Sequence, residues 1–555
     1  MKNWFKSDTP WVWLNAGALS LSIVMVVGLL GLIAVNGFAH FWASPVIETN
    51  WSEPGGKVQR VLGEVADEEV LTAAAAKSAG IPVAEDKKFV RRYLFKQGNR
   101  DIAGRDFVWY LESRLDPEWK TPDNVIMLER REWGNFYGYP VELLEAGQSV
   151  AQGEAVWTEL LERLERSNDL FARIREIERD DIGDINYRQE QLRLEERRVE
   201  LNNALSDQEK RELKAEIEAK RKPLTEQYDA LRAELAELDK KVSRDVLVAE
   251  VMDGNQVKIP LKNIVRATQP NAMSLFDKIG YYIERFVEFI TDEPREANTE
   301  GGIFPAIFGT VTMVLLMTVF VTPFGILAAL YLREYAKQGP ILRIIRISVY
   351  NLAGVPSIVF GVFGVGFFVY FLGGNIDQLF FPEALPAPTF GTPGLFWVSL
   401  TLALLTLPVV IVATEEGLAR IPRTLREGSF ALGATKAETL WKVVVPLATP
   451  AMMTGMILAV ARAAGEVAPL MLVGVVKLAP SLPVDSYAPF VHLERKIMHL
   501  GFHIYDVGFQ SPNVEAARPL VYATALILVM LILVLNLTAI GIRNHLREKY
   551  KSAND

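Results

Sequence analysis

Six stretches of this chain are apolar over a length that crosses a bilayer: near Leu14 to Val35, Ala306 to Leu330, Asn351 to Leu372, Leu395 to Ala413, Ala451 to Val476 and Leu520 to Ile542. Between the first two the pattern changes. Phe107 to Leu111, Val125 to Glu129 and Val246 to Val251 read as strands, and Asp253-Gly254 is a hairpin turn leading into Gln256 to Ile259. From Val156 to about Val242 the chain is charged and helical. There Leu224, Tyr228, Leu231, Leu235, Leu238 and Val242 recur at steps of four and three, the seam of a coiled coil. Ser206 with Glu209 three residues on is a capping-box start, and Asp180 to Asp184 around Gly183 reads as a turn, so an antiparallel hairpin or a three-helix arm is expected. The pattern predicts an α-helical membrane protein. Residues 1–37 form an anchor, 38–302 a mixed α/β domain with a coiled-coil arm over 156–242, 303–547 a five-span core, and 548–555 a tail.

Charge sets the expected orientation. Basic residues crowd the loop after the second span (Arg333, Lys337, Arg343, Arg346), the loop after the fourth (Arg420, Arg423, Arg426, Lys436, Lys442) and the tail (Arg543, Arg547, Lys549, Lys551), while Gly373 to Gly394 holds no Lys or Arg. The positive-inside rule then places both termini in the cytoplasm and the large insertion outside. The first span has a longer apolar core than a secretory signal and no clear small-residue cleavage site, so it reads as an anchor. Half of the 555 residues are hydrophobic, which fits a bundle with a soluble domain, and the net charge of -8 argues against nucleic acid as the main partner. With no cysteine there is no disulfide, thiolate metal site or cysteine nucleophile.

The segment Glu427 to Pro446, between the fourth and fifth spans, carries the pattern of an elbow. Glu427 to Leu432 predicts a short helix, Gly433 permits a backbone bend, Thr435 to Val444 predicts a second amphipathic helix, and Pro446 closes it. It resembles the EAA loop of ABC-importer permeases, with Gly428 and Ser429 in place of the usual paired alanines. The strings NLAGVPSIVFGVFG from Asn351 and ARAAGEVAPLM from Ala461 are similar to phosphate permeases of the Pst system, and APLM after the glutamate favours the PstA-type subunit. The likeness covers about Gly301 to Arg547. It departs from the family in the large insertion and in Val467, where such permeases commonly carry threonine.

The resemblance implies ATP-driven import of inorganic phosphate by a six-span ABC-importer permease bundle in the bacterial inner membrane. Its implied partners are a PstC-type second permease, a PstB-type ATPase dimer and a PstS-type periplasmic binding protein. There is no GxxxxGK[ST] loop, so no nucleotide cofactor is expected on this chain, and ATP belongs to the ATPase. Within the cytoplasmic loop 420–447 the coupling contact is expected at Ala431, Gly433, Ala434, Thr435 and Lys436, with Glu427 capping the first helix and Arg426 near the membrane surface. A permease for another oxyanion or small solute, and a phosphate-sensing scaffold, remain as alternatives.

Arg462 and Glu466 lie four apart inside the fifth stretch, and each unpaired charge near the bilayer centre costs about 2.5–3.5 kcal/mol. Both are expected to face protein or water. One reading puts Arg462 on the phosphate path, its forked donors matched to phosphate oxygens and Glu466 limiting how tightly the anion is held. The other is an intrahelical bridge locking the bundle. Thr310, Thr312 and Ser357 are hydroxyl donors for an anion, although back-bonding to helix carbonyls competes. Pro356, Gly361, Gly364 and Gly366 read as a kink and close packing. His492, His499 and His503 lack the carboxylate or cysteine company of a metal site, and no catalytic triad or paired-carboxylate arrangement is present.

Overall fold

The structure is a computed structural model describing residues 9–53, 56, 58–78, 80, 88–511 and 514–551. It divides into two compact units. One holds residues 9–40, 289–294 and 302–551, the other residues 41–288 and 295–301.

In the first unit six helices are long and apolar enough to cross a membrane. They are span 1 (Pro10–Ala39), span 2 (Phe304–Tyr335), span 3 (Ser357–Phe380), span 4 (Leu395–Ala419), span 5 (Lys436–Gly465) and span 6 (Ala517–Glu548). Span 4 is the axis of the bundle, since 67% of its apolar window is buried against 0% for span 1 and 11% for span 6. Met313, Met317 and Val321 of span 2, Trp397, Leu402 and Val410 of span 4, and Ala459, Ala463 and Ala464 of span 5 share one core.

Two spans differ from the sequence expectation. Span 3 does not include Asn351 to Val355. A separate amphipathic helix, Pro340–Leu352, ends there because Pro356 removes a donor and pushes its predecessor out of helical geometry, and the span restarts at Ser357. Span 5 starts fifteen residues earlier than Ala451 and stops at Gly465 instead of Val476. Glu466 is extended (φ -77°, ψ 137°), and beyond Pro469 only a single turn, Leu470–Val473, is helical. Pro446, expected to end the elbow helix, lies within the first turn of Val445–Gly465. A widened π-type turn at Leu440–Val444 precedes it and absorbs the missing donor.

The second unit is built on antiparallel sheets. β1 (Val46–Ser52), β2 (Val58–Thr72), β3 (Phe89–Lys96) and β4 (Phe107–Leu111) follow one another across a four-stranded sheet. The second sheet draws on β5 (Ile126–Arg130), β6 (Phe136–Glu145), β7 (Gln148–Gln152), β8 (Asp245–Glu250), β9 (Gln256–Pro260) and β10 (Ile264–Thr268). Its order is β10-β5-β6-β8-β9, with β7 also on β6. The arm is inserted between β7 and β8. Its outgoing limb, Ala155–Glu176, passes through a widened turn at Ile177–Asp181 straight into Ile182–Leu201, so the chain does not reverse at Gly183. Reversal comes at residues 202–206, and Asp207–Val242 returns behind the Ser206–Glu209 capping box. The returning limb has 36 residues, about 54 Å of helix. Ile185, Leu192, Ile217 and Leu224 form its seam with Tyr228 and Leu231 against them.

Candidate functional site

The elbow starts as a nine-residue helix, Arg423–Ala431, whose N-cap is Pro422. Glu427 is therefore its fifth residue and exposed, not its cap. The bend falls at Gly433, with φ +84° in the left-handed region, and a Cβ there would meet nothing within 4 Å. Glycine is needed for the backbone alone. Thr435 then caps the next helix: its hydroxyl accepts from the Glu438 amide at 3.3 Å, and the Glu438 carboxylate accepts from the Thr435 amide at 3.0 Å. This second helix is the beginning of span 5, so whatever moves the elbow moves a continuous rod.

Fastenings that the sequence pattern does not reveal hold the elbow to the bundle. Arg426 donates to Glu334 Oε1 (3.0 Å) at the end of span 2 and to the carbonyls of Leu418 (2.9 Å) and Ile421 (3.1 Å) at the end of span 4. Lys436 donates to the Glu334 carbonyl and lies 4.7 Å from the Tyr335 ring centroid. Ser429 and Thr439 hydroxyls meet at 2.8 Å between the two helices. Beneath them Leu330, Leu418, Ile421, Leu440 and Val444 form a core. The outer side is apolar and bare. Leu432 is 92% exposed, with Phe430, Leu425 and Trp441 also exposed, and Ala431 and Gly433 are open beside it.

The second candidate region is the end of span 5. Arg462 belongs to the last helical turn and Glu466 is the first extended residue after it, so the two do not share a helical face as their spacing suggests. They still meet, Nε to Oε1 at 3.3 Å, with side chains 34% and 19% exposed. Among the described residues, Arg462 meets Glu466 through Nε alone. One and two turns back on the same side, Leu458 and Thr454 are exposed, so this chain leaves that face of span 5 uncovered.

Ser357, half-buried, is the first residue of span 3. A Cβ on Gly361, one turn on, would lie 2.7 Å from Pro469 Cα, and one on Gly364 would lie 2.5 Å from the Thr401 hydroxyl. These two glycines allow close packing, and Gly361 sets the first turn of span 3 against the turn that follows Glu466. Gly366 has nothing within 4 Å and has no such role. Thr310 is elsewhere and committed: fully buried, it donates to the Ala306 carbonyl (2.7 Å) and accepts from the Leu500 amide (3.0 Å), pinning span 2 to the segment before span 6. Its hydroxyl is thus engaged on both sides within the bundle.

The three histidines lie in the segment before span 6 and are buried. His499 caps the turn Leu500–Tyr505, its Nδ1 accepting from Gly501 and Phe502, and burial pushes its pKa down to about 4. Burial, with Lys477 nearby, does the same to His503. His492 lies between Asp485 (2.9 Å) and Glu494 (3.2 Å). No group of three metal-binding side chains occurs among the described residues.

Residues 321–552 match the family model of binding-protein-dependent transport system inner membrane components. The chain is similar to phosphate transport system permease protein PstA of Mycobacterium leprae, with 37% identity over 199 residues, 35% of this chain and 60% of that protein. It is likewise similar to phosphate transport system permease protein PstA 1 of Mycobacterium tuberculosis, with 35% identity over 245 residues, 44% of this chain and 71% of that protein. Among solved structures, a chain of the inward-facing MetNI methionine ABC transporter covers 43% of this chain and 94% of its own length, at 17% identity and TM-score 0.32.

Proposed function

We infer the function from a premise that these relatives establish: the chain belongs to the PstA-type phosphate transport permeases and is a multi-pass inner-membrane permease subunit, with ATP hydrolysis on a separate ATPase. On this reading it imports inorganic phosphate, together with a PstC-type permease, a PstB-type ATPase dimer and a PstS-type binding protein. The basic loops support a cytoplasmic location for both termini and the elbow and a periplasmic one for the strand-rich unit with its arm.

The bare apolar ridge around Leu432 supports docking of the elbow on the ATPase through Ala431, Gly433, Ala434, Thr435 and Lys436. Arg426 and Lys436, tied to Glu334, then pass the movement to spans 2 and 4, while the continuous rod passes it to span 5. The observation that carries the phosphate path is the Arg462–Glu466 pair at the broken end of span 5, beside a face that its own chain leaves open. An arginine there offers forked donors to an oxyanion, and the adjacent carboxylate competes for them, which favours release. Ser357 supplies a hydroxyl from the neighbouring break.

The test is phosphate uptake by the complete transporter. Arg462→Gln is expected to lower uptake roughly tenfold or more with membrane abundance and ATPase binding retained, and Arg462→Lys to restore part of it. Glu466→Gln should change release more than capture. If both single changes lower abundance, and Arg462→Gln with Glu466→Gln recovers both abundance and uptake, the pair is a structural bridge and the path lies elsewhere.

A further inference from the structure

Helix Leu275–Thr291 has two faces with different fates. One is locked to the sheets: Arg285 donates to both carboxylate oxygens of Glu129 on β5 (2.8 and 2.7 Å), Glu288 pairs with Arg266 on β10 (3.0 Å), and Tyr281 packs on Val46, Leu62 and Met127. These ties turn the opposite face outward, and it is apolar. Phe276, Ile279, Ile283 and Val287 follow one another at steps of three and four, all exposed, with Phe276 at 85%. A contiguous exposed apolar stripe of this kind marks an interaction surface.

Both ends of the surrounding chain point to the same one. The last turn and the two residues after it are hydrogen-bonded to the start of span 2: the amides of Ile303, Gly302 and Phe304 donate to the carbonyls of Phe289 (2.8 Å), Glu293 (3.0 Å) and Asp292 (3.1 Å). Phe41 and Trp42, two and three residues after span 1 ends, set their rings against this helix, Phe41 at 5.3 Å from Phe286 and Trp42 at 6.2 Å from Tyr282. Aromatic residues gathered where two spans leave the hydrocarbon mark interfacial depth. We propose that Leu275–Thr291 is an interfacial helix whose Phe276, Ile279, Ile283 and Val287 lie in the headgroup–acyl boundary of the membrane.

Because the chain has no cysteine, single cysteines can report this in the full-length protein in phospholipid nanodiscs. An environment-sensitive fluorophore at Phe276→Cys or Ile283→Cys, both exposed positions, should lose at least half its emission to a nitroxide-labelled phospholipid and be shielded from aqueous iodide. At Glu284→Cys, on the flank of the stripe, the order should reverse. Iodide quenching at the stripe equal to that at Glu284→Cys overturns the proposal. Shielding from both quenchers overturns it too, and assigns the stripe to another protein chain.

Discussion

Glu300, two residues before the second unit gives way to the stretch entering span 2, is a buried carboxyl whose protonation depends on its surroundings. Burial pushes its carboxyl up to about 7 against the pull of Lys96, with Glu129 and Glu296 raising it further and Arg295 lowering it, and its Oε2 is buried without a hydrogen-bond partner. A carboxyl with a raised folded pKa holds its proton more tightly when folded. Its contribution to stability is complete at acid pH below the usual carboxylate range and is lost as pH rises through about 7. Amide exchange over residues 294–301, corrected for its intrinsic rate, should therefore accelerate roughly tenfold between about pH 6 and pH 8, and Glu300→Gln should abolish most of that dependence. Equal acceleration in the variant would place the titrating group elsewhere. Glu300 and the Arg426–Glu334 joint share a reason for being illegible in sequence. Each acquires meaning from partners far away along the chain, Glu334 lying 92 residues from Arg426. Gly433 and the Ser206–Glu209 cap were legible because their physics is local.

At the scale of elements, the elbow separates backbone demand from side-chain demand. Since nothing surrounds a Cβ at Gly433, Gly433→Val costs only the left-handed conformation and the stiff β-branched side chain, about 1–2 kcal/mol, enough to populate a straightened elbow. The complete transporter should then hydrolyse ATP with little phosphate uptake. Gly433→Asn, which tolerates positive φ, should keep most of the coupling. Loss in both variants would instead mean that a side chain obstructs the docked ATPase. Hydrophobic runs indicated six spans but misplaced the ends of two. A run of apolar residues measures what is compatible with lipid, whereas helix ends are decided by donors and backbone angles, as at Pro356 and Glu466. Most sheet strands escaped notice for a related reason: β2, with Glu64, Asp67, Glu68 and Glu69 in its run, owes its place to neighbours on both sides and not to its own alternation.

At the scale of the molecule, the arm belongs to the large insertion before span 2, which the family match over residues 321–552 does not include. Its base cannot be removed freely, because Val156, Leu160 and Leu164 belong to the core of the second sheet. Excision should instead cross at the Arg173–Glu234 rung, replacing residues 177–230 with a short Gly/Ser turn. The bundle should still insert. If the arm receives the phosphate-binding protein, uptake should fall several-fold at limiting phosphate and recover at high phosphate, as expected when the encounter is rate-limiting. An unchanged apparent affinity would make it a spacer. The widened turn at Leu440–Val444 has a different kind of consequence. A helix is a screw, and each residue added to or taken from a turn advances everything beyond it by about 100°. Between Lys436, where the rod begins, and Arg462 the widened turn therefore fixes an angular phase. Tightening that turn to ordinary pitch would rotate one end of the rod against the other, so if an ATPase grips the elbow, torsion as well as push would reach Arg462.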